Sequence, residues 1–310
     1  MNLFLLDDGR LRVGWRFAFA VFVVFIANYI AGTFGATVAS GRTVVEEIIY
    51  RSLLMVLLLA AFVGMAKIFD QPEVSVWSYL GLPRRKWFRQ ALTGAILGFV
   101  LIFLAIVIIA IFFNYHITRI VLTPRTLELP LFVGFVLLTG AMAEELMFRG
   151  YPFQRLVEAI GKVGAILVLS ALFGFLHLRN PHVSDSRAIQ VFAFINTLLI
   201  GIVLAIAYLR TRALWLSWGL HFAWNFTLGL VFGLPVSGIT QFSLLVKAKV
   251  RGPEWFLGGS YGLEGGFIGT LLALLGLAYV LLFVKPVPAE PPAPQVHESI
   301  LPSIQPSERI

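Results

Sequence analysis

The chain has 310 residues, of which 59% are hydrophobic and only 13% charged, and its mean hydropathy is +0.89. This balance excludes an ordinary soluble globular domain and predicts an integral membrane protein, and the lack of cysteine excludes disulfides, thiolate nucleophiles and cysteine-ligated metal sites. The net charge of +8 comes from basic residues scattered through short connections between apolar spans. Such scattering is typical of loops beside an anionic leaflet, so we predict no nucleic-acid partner.

Hydropathy predicts an all-α, polytopic transmembrane helix bundle of about eight spans. They lie near residues 13–33, 46–67, 91–113, 130–158, 163–178, 189–209, 213–233 and 264–285. The first span is long for the apolar part of a signal peptide and leads into further spans, so we interpret it as an uncleaved helix.

We interpret residues 1–285 as one transmembrane bundle with a functional core at about 130–230, and residues 286–310 as a disordered Pro-rich tail. Fifteen Lys and Arg residues fall on one predicted side of the membrane and nine on the other. This asymmetry favours an inner or plasma membrane protein with both termini in the cytoplasm. The glycine-rich connection 234–263 has the composition to fold back onto the bundle, but the sequence assigns it no role.

Three charged residues interrupt the predicted fourth span, in the stretch LLTGAMAEELMFRGY. An ionised group at membrane depth costs roughly 3 kcal/mol or more, and so indicates a functional site by default. Glu145 and Arg149 are four residues apart and are predicted to form a helix-face ion pair. Glu144 lies about 100° further round the helix and needs another partner.

Two histidines and an asparagine are placed to meet Glu144. If spans four and five form a hairpin turning near 160–161, Glu144 and His177 each lie about 24 Å from the turn and therefore at the same depth. His221 and Asn225 are four residues apart and project from one face of span seven. A packed histidine or a polar stripe between helices is the structural alternative for each. Their convergence about 12 Å below the cytoplasmic face predicts a water-using active site inside the bundle.

The chemistry of this set favours acyl hydrolysis. A buried carboxylate can act as a general base, and a neighbouring imidazole can hold and polarise the attacking water. Asn and His donors can stabilise a developing oxyanion.

Three motifs in this region resemble the signatures of one protease family. EELMFR resembles EExxxR, FGFLH resembles FxxxH and HFAWN resembles HxxxN of the CPBP family of intramembrane proteases. That family includes the type II CAAX prenyl endopeptidases and the bacterial Abi proteins. The motifs occur in order over about residues 131–230.

The resemblance implies a CAAX-protease-like intramembrane endopeptidase that cleaves a peptide bond near the cytoplasmic interface. Glu144 would activate the water with His177, while His221 and Asn225 would bind the oxyanion. Glu145 and Arg149 would support the site. The implied partners are membrane lipids and a peptide or protein substrate, with or without a lipid anchor.

A cofactor is left open by the sequence. The family has been described both as metalloproteases and as glutamate-dependent proteases, and Glu144, His177 and His221 are the candidate ligands if Zn²⁺ is bound. HExxH is absent, and an Asn beside a His suits an oxyanion hole better than a zinc shell, which favours metal-free catalysis.

Two other functions fit the same polar residues. Buried Glu and His side chains also relay protons or bind cations in transporters, although no inverted repeat is evident here. A non-catalytic membrane scaffold or immunity protein is the third hypothesis.

Overall fold

The computed structural model describes residues 3–5, 11–39, 43–121 and 128–287. Most of the predicted Pro-rich tail, from residue 288 onward, lies outside these ranges. The described residues form ten α-helices and two β-strands, and short π-helical turns at Ala66–Asp70 and Thr227–Val231 extend the second and eighth helices. The elements are α1 (Val13–Ala39), α2 (Thr43–Met65), α3 (Val76–Tyr79), α4 (Trp87–Phe112), β1 (Asn114–Ile120), α5 (Leu129–Arg149), α6 (Tyr151–His177), α7 (Arg187–Thr211), α8 (Trp215–Phe226), β2 (Val246–Arg251), α9 (Glu254–Leu257) and α10 (Phe267–Phe283).

The helical bundle is confirmed, but the count of eight spans is not. Within the described residues, five helical segments are long and apolar enough to cross a membrane, and α10 is a shorter apolar helix. The five are Val13–Ala39, Val45–Asp70, Trp87–Phe112, Pro130–His177 and Arg187–Thr211. Since α8 has 12 residues before its π-helical extension, it also falls short of the length that a full crossing needs.

The 48-residue segment Pro130–His177 contains the predicted hairpin of spans four and five. A straight helix of that length would extend about 72 Å, more than twice the hydrocarbon thickness. Gly161 interrupts it with φ of 78° and ψ of 168°, a left-handed φ that favours glycine. This break lies at the predicted turn near 160–161, and a second break at Gly150, with φ of −78° and ψ of −139°, separates α5 from α6.

Two apolar cores fill the bundle and meet along α5. One joins side chains of α4, α7, α8 and α10, and the other joins those of α1, α2 and α6, with further residues of α7. Helix α5 contributes Val133, Val136 and Leu137 to the first core and Met142, Ala143 and Leu146 to the second. The change from one core to the other therefore falls between Leu137 and Met142, and the doublet at Glu144 and Glu145 follows it within one helical turn.

Small residues let α4 and α8 pack backbone to backbone. A Cβ atom on Gly94 would lie 2.1 Å from the carbonyl oxygen of Leu216, and one on Gly98 would lie 2.6 Å from that of Leu220. Gly94 and Gly98 form a GxxxG pattern, which permits close helix approach within a membrane. Gly219 of α8 completes the contact, since its Cβ would lie 2.1 Å from the carbonyl oxygen of Ala91.

An ionic cluster fixes the ends of three helices at one end of the bundle. Asp70, at the end of the α2 extension, accepts hydrogen bonds from Arg16 of α1 and Arg155 of α6, the latter at 2.8 Å. Glu158 accepts from the same two arginines, at 2.8 and 2.7 Å. Because Arg16, Asp70 and Arg155 are buried, these bonds satisfy charges that would otherwise be costly.

The two strands were not predicted. β1 and β2 pair antiparallel, with a register irregularity between Ile117 and Arg119. Tyr115 of β1 and Val250 of β2 pack against the core around α4, so the strand pair is anchored to the bundle. The segment 232–266, which contains β2 and the glycine-rich connection, folds back onto the bundle as its composition allowed.

The α4–α8 contact gives a prediction for helix packing. We expect Gly94→Ala to destabilise the protein by about 1–3 kcal/mol, because the added methyl group meets backbone that has no room to yield. Thermal unfolding of the purified protein in detergent measures this loss.

Gly32→Ala is the matched control, since Gly32 lies inside α1 and its Cβ would meet nothing within 4 Å. It should leave stability unchanged or raise it by up to about 1 kcal/mol through helix propensity. Equal effects of the two substitutions would contradict the close α4–α8 contact.

Candidate active site

A cavity of about 320 Å³ lies inside the bundle, where the two apolar cores meet. Leu101, Leu137 and Leu220 of one core and Phe148 and Phe173 of the other form part of its wall. All four residues predicted to be catalytic also line it, namely Glu144, His177, His221 and Asn225. The structure therefore brings the predicted set together from α5, α6 and α8.

Glu145 and Arg149 form a buried ion pair beside the cavity. The guanidinium donates to Glu145 Oε1 at 3.2 Å from Nη1 and to the carbonyl oxygen of Gly201 at 3.2 Å from Nη2. Its carbon Cζ lies 4.8 Å from the ring centre of Phe173. Glu145 is fully buried and Arg149 is 1% exposed, so each charge depends on the other. The predicted pair is present.

His221 joins this pair through a contact that the sequence did not predict. Its Nδ1 lies 3.0 Å from Glu145 Oε1, and its Nε2 lies 3.6 Å from Glu144 Oε2. The ring therefore bridges the two carboxylates of the doublet. A carboxylate at Nδ1 orients the imidazole and leaves Nε2 directed toward Glu144 and the cavity.

Glu144 is the accessible member of the doublet. Its side chain is 26% exposed, and its Oε1 lies 4.0 Å from Nη1 of Arg51 on α2. Both this distance and the 3.6 Å to His221 exceed hydrogen-bond length. The Glu144 carboxylate thus faces the cavity, close to two nitrogen groups but bonded to neither.

His177 is held in a defined tautomer on the same cavity. Its Nδ1 lies 2.8 Å from the carbonyl oxygen of Phe173, and since a carbonyl only accepts, Nδ1 carries the hydrogen. A neutral His177 therefore keeps its Nε2 lone pair free to accept a proton. The Phe173 ring makes edge-on contacts with both imidazoles, and its centre lies 4.4 Å from that of His177 and 6.2 Å from that of His221.

Asn225 lies one helical turn beyond His221 and faces the same space. No hydrogen bond fixes its side-chain amide to any residue that the structure describes. Its NH₂ group is therefore available to a ligand in the cavity.

The proposed zinc ligands do not form a metal site. Within the described ranges, no group of three or more His, Asp or Glu residues is arranged to hold a metal ion. Nδ1 of His221 faces Glu145 and Nδ1 of His177 faces a carbonyl oxygen, which leaves one ring nitrogen on each for any other partner. A bonded Nδ1 with a free Nε2 is also the arrangement of a zinc-ligating histidine, so these contacts do not argue against the metal, and only the grouping of the three side chains does.

The sequence reasoning missed Arg51, which lines the cavity from α2. Arg51 donates from Nε to Glu47 Oε2 at 2.7 Å, and its guanidinium lies 5.9 Å from the ring centre of Phe242. A signal was present, because Glu47 and Arg51 are four residues apart near the start of a predicted apolar span. It is the same pattern as that of Glu145 and Arg149.

A second missed residue is Glu264, which lies in the cavity wall formed by segment 232–266. Its Oε1 accepts from Trp224 Nε1 at 2.9 Å and its Oε2 accepts from the Ser237 hydroxyl at 2.8 Å. Asn180, in the loop after His177, donates to the carbonyl oxygen of Ser237 at 3.1 Å. Glu264 therefore ties the folded-back segment to α8, and this segment closes one side of the cavity.

The comparison with protein families agrees with the motifs. Residues 126–227 match the model of the family described as type II CAAX prenyl endopeptidase Rce1-like. This segment contains all six predicted site residues. The segment is similar to Rce1-like domains and covers about a third of the chain. No curated protein and no solved structure matches the chain.

The match supports a CAAX-protease-type peptidase, and such a peptidase acts on a peptide or protein. Together with the five apolar helical segments, it indicates an integral membrane protein. The resemblance drawn from the three motifs is thereby confirmed, while the roles of the individual residues stay predictions. Arg51 and Glu264 lie outside the Rce1-like domain, on elements that pack around it.

The buried ion pair gives a second prediction. We expect Arg149→Leu to destabilise the protein by about 3–5 kcal/mol, because it leaves the Glu145 carboxylate in an apolar interior without its cation. The double substitution Glu145→Leu with Arg149→Leu should recover part of this loss, since no unpaired charge remains. Denaturant unfolding in detergent measures both.

Arg89→Leu serves as the control, because Arg89 is an exposed arginine in the first turn of α4. Its effect should stay within about 0.5 kcal/mol. A double variant less stable than Arg149→Leu alone would contradict the interpretation that charge burial dominates at this site.

Proposed function

We propose that the chain is an intramembrane endopeptidase that hydrolyses a peptide bond with water activated by Glu144 and His177. The observation that carries this proposal is the meeting of Glu144, His177, His221 and Asn225 around one cavity of about 320 Å³. Pockets of this size accommodate a small part of an extended peptide together with a water molecule. The Rce1-like domain supports the same reaction class.

In the first chemical step, Glu144 acts as the general base. Glu144 is the carboxylate of the doublet that reaches the cavity, and the free Nε2 of His177 faces the same space. A water held between them loses a proton to the Glu144 carboxylate as its oxygen attacks the carbonyl carbon. The carbonyl electron pair moves onto oxygen and produces a tetrahedral oxyanion.

In the second step, Asn225 and His221 donate hydrogen bonds to the oxyanion. The Asn225 NH₂ group is unused in the described structure, and His221 directs Nε2 toward the cavity while Glu145 holds Nδ1. When doubly protonated, His221 donates through Nε2 to the oxyanion alongside Asn225. The proton on Glu144 then passes to the leaving nitrogen, the C–N bond breaks, and the products are a carboxylate and an amine.

The wall of the cavity combines apolar side chains with the polar residues described above. Leucine and phenylalanine side chains line the cavity, which favours a peptide with apolar side chains or a lipid anchor beside the bond that is cleaved. We propose cleavage near the cytoplasmic interface with both termini in the cytoplasm, on the fifteen-to-nine asymmetry of basic residues.

Replacement of the base tests this function directly. Cells that express the wild-type chain should contain protein termini that are absent in cells expressing Glu144→Gln, because the amide cannot take a proton from water. We expect the rate of their formation to fall by roughly 10²-fold or more. Quantitative mass spectrometry of membrane-protein termini measures the difference.

Glu73→Gln is the matched control, since Glu73 is an exposed carboxylate away from the cavity. It should produce the wild-type set of termini. Identical sets in the wild type and Glu144→Gln would contradict peptidase function. Uptake into proteoliposomes that Glu144→Gln abolishes, with no change in termini, would favour the transporter hypothesis instead.

A further inference from the structure

The paired strands carry a row of cationic side chains on one face. In the antiparallel register Arg251 pairs with Asn114, Lys249 with His116 and Lys247 with Arg119, so these six side chains share a face. We call this set the cationic face. Alternate residues along a strand are about 7 Å apart, so Lys247, Lys249 and Arg251 form an evenly spaced row.

The cationic face is open and has no acidic counterpart. Arg119, Lys247, Lys249 and Arg251 are exposed, and His116 is half-buried. Neither strand contains an acidic residue. Among the described parts of the chain, no carboxylate forms an ion pair with any of these four Lys and Arg side chains. Four positive charges therefore point outward without internal compensation.

The opposite face fixes the strand pair in place. Tyr115, Ala248 and Val250 pack against the core, and the Tyr115 hydroxyl donates to the carbonyl oxygen of Phe232 at 3.0 Å. Burial raises the pKa of that hydroxyl, as expected for a phenol held against apolar side chains. The cationic face is consequently presented by a rigid element.

The strand pair lies where a membrane surface is expected. β1 begins two residues after α4 ends, and α4 is one of the segments that can cross a membrane. Ile111 and Phe112, the last residues of α4, are 67% and 73% exposed, and Trp255 just beyond β2 is 54% exposed. Apolar and indole side chains next to lysine and arginine are typical of the boundary between acyl chains and headgroups.

The charge distribution makes this position unusual. Arg119, Lys247, Lys249 and Arg251 account for four of the nine basic residues on the side that we predict to be non-cytoplasmic. The positive-inside asymmetry disfavours basic residues there, so topology does not explain this concentration. A function that requires positive charge explains this concentration of basic residues.

We propose that the cationic face binds the phosphate headgroups of anionic phospholipids in the leaflet at the α4 C-terminal end. Each exposed Lys or Arg near such a surface contributes favourably to the free energy of lipid binding. The exposed side chains at the end of α4 contact the acyl chains of the same lipids. The proposal is independent of the peptidase activity.

Site-specific photolabelling tests the proposal on the full chain in phosphatidylcholine nanodiscs. A minor fraction of photoreactive phosphatidylglycerol should label residues 111–120 and 246–255 at least about tenfold more than photoreactive phosphatidylcholine does, because only the former carries a net negative charge. Replacing Lys247, Lys249 and Arg251 together with Gln should remove this preference. Equal labelling by the two lipids in the wild type would overturn the proposal.

The matched control replaces Arg84, Arg85 and Lys86 with Gln, which also removes three exposed charges. They lie at the other end of α4, about 39 Å away along a 26-residue helix and beyond the range of screened electrostatics. This variant should keep the preference, and so should Lys247→Arg with Lys249→Arg. A similar loss in the control variant, or full displacement of the lipid by an equal concentration of inorganic phosphate, would contradict a headgroup site on the strands.

Discussion

The structure depends on the burial of one carboxylate. Glu145 is fully buried among apolar side chains, where an unpaired charge would be prohibitive. Arg149 from the same helix and His221 from α8 are its partners, and Arg149 also binds the backbone of α7 at Gly201. Satisfying Glu145 therefore fixes α5, α7 and α8 relative to one another. The cavity and its polar lining follow from that arrangement.

Close packing between helices allows the polar contacts to form. His221 reaches Glu145 only because α8 is correctly placed, and its position is set by backbone contact with Gly94 and Gly98 of α4. On the far side, Glu264 holds segment 232–266 to Trp224 of α8 and to Ser237. β2 belongs to the same segment. The element that closes the cavity is thus continuous with the strand that carries the cationic face.

The sequence predicted what depends on local periodicity. Apolar runs located the helices, the predicted turn near 160–161 coincides with the break at Gly161, and four-residue spacing gave the Glu145–Arg149 pair. The sequence did not predict the pairing of β1 with β2, because the two strands are far apart in the chain. It did not predict the Glu145–His221 contact either, because that contact depends on how two helices are rotated about their axes. The eight predicted spans are not confirmed, because the length of an apolar run does not determine where its helix begins and ends, and five described segments are long enough to cross.

Glu144 and Glu145 are adjacent and of the same type, but their side chains differ in chemical capacity because consecutive residues project about 100° apart around a helix. Glu145 points into the protein, where Arg149 and His221 engage the oxygen Oε1, and it does not line the cavity. Glu144 points into the cavity, where its neighbours lie at 3.6 and 4.0 Å and leave room for a water molecule. A charge-paired, enclosed carboxylate can only position its partners, whereas an accessible one can exchange protons. The doublet therefore supplies one residue that holds the site and one that can act in it.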